Sequence, residues 1–89
     1  MEEKRSIILD TAKKYVLGDR EQDYGTVSDN FKKIAELWSV YLGFEMRAGD
    51  VAMMMILLKV ARCTTGEFKE DTLIDIAGYA ACANEVKEG

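Results

Sequence analysis

The sequence predicts an all-α protein, a four-helix antiparallel bundle that associates with itself. Three observations lead there. Apolar residues recur at three- and four-residue spacing in four separate segments, with little period-two alternation. Glycines 18, 25, 43, 49 and 66 divide those segments, and the chain has no proline. The connections are four to eleven residues long, the range that joins antiparallel neighbours. At 89 residues the chain is one domain, 1–89. A chain this short builds a small core, so association is an economical way to gain burial.

The first helix is expected over residues 3–17, where Ile7, Ile8, Thr11, Ala12, Tyr15 and Val16 share a side and Gly18 follows as a stop. The loop GDREQDYGTVS comes next. Helix two is expected from Asp29 to Leu42, capped by Ser28 or Asp29, with Phe31, Ile34, Leu37, Trp38 and Tyr41 as its apolar stripe. Helix three is expected over 51–63 with Asp50 as its N-cap. Its eight consecutive apolar residues, Val51 to Leu58, are far short of the ~20 that span a membrane. A helix apolar on every side must be covered on every side, either by three helices of the same chain or by two and a second subunit. Helix four is expected from Asp71 to Val86, with Leu73, Ile74, Ile76, Ala77, Ala80, Ala81 and Ala83 turned inward.

Composition removes several function classes. The net charge of −4 argues against general DNA or RNA binding. With no histidine there is no Ser–His or Cys–His nucleophile, and with no CxxC pair there is no structural zinc. The glycines do not form a GxxxxGK[ST] phosphate loop. Cys63 and Cys82 are expected to be buried free thiols of a cytosolic protein. The acidic start MEEKRSIIL carries no secretory pattern.

What remains is a charged cluster. Lys59 and Arg62 sit at i and i+3, and Asp71 and Asp75 at i and i+4, so each pair occupies one helical face. An antiparallel hairpin of helices three and four brings the end of one beside the start of the other. The cluster then reads as a register lock, with the cations also favoured by the helix C-terminus. The alternative to that first reading is a site in which cations hold phosphate while carboxylates orient them or bind magnesium. Tyr79, four residues after Asp75, joins that face. The loop residues Asp19, Arg20, Glu21, Asp23 and Tyr24 form a second polar group, either a solvated turn or a contributor to the site. Asn30 is a cap or a ligand contact, and Trp38 reads as core.

Taken together, DREQDYG, DNFKKIAELWSVYLG, DVAMMMILLKVAR and DTLIDIAGYAA resemble a family of short phage and prophage all-α proteins of unassigned activity, over about residues 10–83. A looser similarity is to the MazG-like nucleotide pyrophosphohydrolases, through the KxxR of Lys59 and Arg62 followed by the DxxxD of Asp71 and Asp75. That second resemblance implies an oligomeric helical bundle, a nucleotide substrate and magnesium on Asp71 and Asp75. The EExxE motif of those enzymes has no counterpart here, because helix two carries only Glu36 among Lys32, Lys33 and apolar residues.

The resulting expectation is a phage-type protein of the infected host's cytoplasm. It binds a phosphorylated nucleotide, linear or cyclic, and sequesters this signal of antiviral defence without cleaving it. Arg20, Asp23, Tyr24, Lys59, Arg62, Asp71, Asp75 and Tyr79 are the candidate ligand-binding residues, with no cofactor required. The alternatives are a magnesium-dependent pyrophosphohydrolase and a purely structural or interaction protein.

Overall fold

The computed structural model describes residues 3–18 and 26–87. Among them the chain forms four helices and no strand: α1 (Lys4–Leu17), α2 (Val27–Leu42), α3 (Ala48–Thr65) and α4 (Glu70–Val86). The all-helical class follows from the periodicity, and the helix ends follow from capping chemistry.

Two starts differ from expectation. Helix α2 begins two residues early because Thr26, and not Ser28 or Asp29, is the N-cap. Its hydroxyl accepts the Asp29 N–H at 3.1 Å. Helix α3 begins at Ala48 because Asp50 lies inside the first turn, where its carboxylate accepts the Arg47 N–H at 3.0 Å. Asp50 therefore stabilises the start of α3 from the third helical position. Helix α3 also runs two residues further than expected, to Thr65. Helix α2 ends at Gly43, whose φ of 80° is left-handed and whose N–H donates to the Ser39 carbonyl at 2.9 Å. Ser39 then fastens the connection to α3. Its hydroxyl donates to the Ala35 carbonyl and accepts the Met46 N–H, both at 2.7 Å.

The core is small. Phe31 and Ala35 of α2, Ala48, Val51 and Ala52 of α3, and Val86 of α4 are buried together. Ile34, Trp38, Met55, Tyr79 and Ala83 pack against them partly buried, which places Trp38 in the core as expected. Helices α3 and α4 form an antiparallel hairpin whose register is fixed at two points. Gly49 lies against the backbone of Lys87, with room for a Cβ 3.6 Å from its Cα, and Lys59 meets Asp75.

The central element is α4 and not α3. Helix α4 packs against α1, α2 and α3, whereas α3 touches α2 and α4, and α1 touches α4 alone among the described helices. The prediction that α3 is covered all round therefore fails within one chain. Val51 and Ala52 are fully buried, while Met53, Met54, Leu57, Leu58 and Val60 are exposed. Other inward assignments also change. Leu37 and Tyr41 of α2 face outward, and Ala35 takes their place beside Phe31 and Trp38. Tyr15 of α1 and Ala80 and Ala81 of α4 are exposed as well. Each error has the same origin, since periodicity gave a stripe wider than the neighbours available to cover it.

Candidate functional site

The inner face of α3 carries Ala52, Met55, Ile56, Lys59 and Cys63, which recur at three- and four-residue spacing toward its C-terminus. Burial declines along that face, from the fully buried Ala52 to the half-buried Cys63. The opposing face of α4 shows the reverse gradient. Asp71 is exposed, Asp75 and Tyr79 are half-buried, and Val86 is buried. An antiparallel hairpin with these gradients has a dry end near Val51 and Val86 and a wet end near the connection at Gly66.

Lys59 and Asp75 meet in the half of the hairpin nearer the wet end. The Lys59 Nζ lies 3.0 Å from Asp75 Oδ2, with side-chain exposures of only 19% and 30%. The other ion pairs of the described residues are far more exposed, at 63% or above. A pair so largely withdrawn from water is screened much less than a surface pair. The ammonium has three donor protons, and one carboxylate oxygen does not satisfy them all.

The remaining predicted residues divide as follows. Arg62 is exposed one turn beyond Lys59, and no carboxylate of the described residues lies within ion-pair distance of it. Asp71 is exposed on the turn before Asp75 and likewise forms no ion pair among the described residues. The four charges thus share one end of the hairpin, but only Lys59 and Asp75 bond. Tyr79 packs its ring against Phe31, with centroids 6.4 Å apart and planes tilted by 38°, so its body belongs to the core. Arg20, Asp23 and Tyr24, with the rest of residues 19–25, lie outside the described residues. Asn30 is half-buried in the first turn of α2 and donates its N–H to the Thr26 carbonyl at 3.0 Å.

The described residues do not fit magnesium. Such an ion takes several oxygen ligands, the Asp75 carboxylate is engaged by Lys59, and no group of three or more acidic, histidine or cysteine side chains is placed to hold a metal among the described residues. Cys63 and Cys82 are each half-buried, in place of the full burial expected, and no disulfide joins them.

Sequence reasoning did not find a groove that lies away from these charges. An open groove of about 600 Å³ lies between the C-terminal half of α2 and the start of α3, lined in part by Lys32, Glu36, Glu45 and Arg47. Its lining residues are spread over two helices and a loop, and no local spacing announces them. No described helix is long and apolar enough to cross a membrane.

The chain is similar to phage proteins over most of its length. It is 46% identical over 81 residues to the Gene 55 protein of Mycobacterium phage L5, an alignment covering 90% of this chain and 52% of that protein. It is 42% identical over 81 residues to the Gene 55 protein of Mycobacterium phage D29, covering 91% of this chain and 54% of the relative. The chain therefore spans about half the length of these curated relatives. No solved structure matches it. One family model, described as a domain of unknown function, matches residues 7–87, which include all four helices apart from the first turn of α1, and the chain belongs to that family, DUF6378.

Proposed function

We propose that the protein binds a phosphorylated nucleotide at the wet end of the α3–α4 hairpin and does not cleave it. The observation that carries this reading is the withdrawn Lys59–Asp75 pair with Arg62 exposed one turn away. A phosphate approaching that end meets a lysine already oriented by a carboxylate and an arginine free to bond bidentately. Because the whole chain is acidic and Asp71 and Asp75 balance the two cations, such an anion site relies on directed charge-assisted hydrogen bonds from Lys59 and Arg62. Asp75 acts as an orienting residue, and Asp71 sits at the rim. Arg20 is assigned to assist at the phosphates, Tyr24 or Tyr79 to the base or ribose, and Asp23 is a further ligand-binding candidate.

Binding without turnover is favoured by the Lys59–Asp75 bond, which engages the carboxylate a metal would need. The similarity to phage proteins is the reason to regard the ligand as a host signal, linear or cyclic, that is removed from circulation. A MazG-like pyrophosphohydrolase is the competing reading. It requires magnesium-dependent pyrophosphate release that is lost in Asp75→Asn.

A thermal-shift screen of linear and cyclic nucleotides, with magnesium and with chelator, tests the proposal. A ligand that binds only the folded chain raises the midpoint by mass action. The expected hit persists in chelator and yields no product. Arg62→Ala alters an exposed residue and leaves the fold intact, so it should weaken that hit roughly ten- to a hundredfold, the scale of one charge-assisted contact. An unchanged affinity removes Arg62 from the phosphate role, and a screen without hits removes the nucleotide.

A further inference from the structure

We infer that the outer face of α3 is the seat of a second copy of this chain, packed antiparallel about a two-fold axis through Leu57. The inference is independent of the ligand. Lys59 lies on the inner face of the same helix, against α4, and this association leaves it there.

The first support is area. A compact monomer of 10.0 kDa exposes about 5,200 Å² by the usual scaling with mass. This chain exposes 6694 Å². Its radius of gyration is 14.0 Å, where about 12 Å is expected for 89 residues. The extents of 49 × 31 × 21 Å describe a flattened body. A stable interface of standard size buries about 800 Å² on each partner, which accounts for more than half of the excess.

The second support is the continuous apolar face that α3 turns outward. Asp50, Met53, Leu57, Val60 and Thr64 recur at alternating three- and four-residue spacing, the seam of a helix that packs along a second helix. Within that seam Met53, Leu57 and Val60 are 53%, 62% and 42% exposed, and Met54 and Ala61 flank them. From Val51 to Leu58 no polar side chain interrupts the surface. Among the described helices only α2 and α4 pack on α3, and both lie on its other side. Methionine and leucine at such a density are the residues of contact surfaces.

The third support selects the occupant. A seam that is polar only at its two ends closes on itself when reversed. About an axis through Leu57, Met53 faces the partner's Ala61, Met54 faces the partner's Val60, and Asp50 faces the partner's Thr64. The parallel arrangement instead brings Asp50 against the partner's Asp50, with like charges at the rim of an apolar contact. The face complements its own reversed copy and carries no charge pattern that would match a different acidic or basic partner.

Sedimentation equilibrium on the 89-residue chain tests this. The expected mass is twice the 10.0 kDa of one chain, falling to 10.0 kDa for Leu57→Glu with unchanged helicity by circular dichroism. Thr64 is exposed near the end of α3, so two further variants report on direction without touching the core. Thr64→Lys should tighten the dimer and Thr64→Asp should loosen it, each by about three- to tenfold, through the partner's Asp50. A monomer at roughly 100 μM, far above the dissociation constant of a stable dimer, overturns the proposal. A mass other than twice that of the chain, or a dimer indifferent to Leu57→Glu, also overturns it. Equal dimer affinities for the two Thr64 variants overturn the antiparallel arrangement.

Discussion

Lys59 and Asp75 lose most of their hydration and recover one close contact, at 3.0 Å. For such a pair the cost of removing one partner exceeds the net value of the pair, because the survivor is left half-buried and unpaired. Lys59→Met and Asp75→Leu should therefore each destabilise the fold by about 1–3 kcal/mol, and the double variant should regain most of the loss. Urea denaturation of the four proteins gives the coupling, and strictly additive losses would mean that the pair does not hold the hairpin. Gly43 offers a separate check on backbone geometry. A Cβ there meets nothing within 4 Å, so Gly43→Ala should cost only the left-handed strain, about 1 kcal/mol, and Gly43→Asn less. A loss of several kcal/mol would show that more than φ is at stake at that turn.

At the scale of elements, the asymmetry among the helices decides which contacts yield. Among the described helices only α4 holds α1, across the close approach of Val16 to Gly78. A Cβ on Gly78 would lie 3.3 Å from Val16 Cγ1, so α1 must move out by a few tenths of an ångström to admit it. Among the described helices no other stands behind α1, so it moves at small cost. Replacing a mid-helix glycine by alanine gains about 1 kcal/mol in helix propensity. Gly78→Ala should thus leave stability unchanged or raise it by about 0.5 kcal/mol, whereas Gly78→Leu should detach α1 and raise amide exchange across residues 4–17. A marked loss in Gly78→Ala would show that α1 is clamped from its other side. Helix α3 poses the opposite case. Its inner face is fixed by Val51 and Ala52 in the core, and its outer face is left to whatever meets it.

For the whole molecule, the small core and large surface tie stability to concentration. Among the described residues, six make up the buried cluster that joins α2, α3 and α4, a modest core. If the outer face of α3 is satisfied by a second copy, unfolding is coupled to dissociation. The melting midpoint of the parent should then rise by several degrees over a hundredfold increase in protein concentration, while that of Leu57→Glu should stay constant. Scanning calorimetry at two concentrations measures this, and a concentration-independent parent midpoint would sever the link between association and stability.

The sequence by itself determined the helical class, the four segments to within a few residues at their ends, and the facing pairs of charge at Lys59 and Arg62 and at Asp71 and Asp75. These are local properties, since capping groups, glycine and the 3.6-residue period act within one or two turns. Only the tertiary structure decided that Asp75 takes Lys59 while Arg62 and Asp71 stay exposed, and that α4 is the helix with three neighbours. The reason is that a period names the residues that share a face and says nothing of what will lie against it. In Val51–Leu58 every direction is apolar, so the pattern holds no information about which side is inner. Packing supplied it, burying Val51 and Ala52 and leaving Met53 and Leu57 outside.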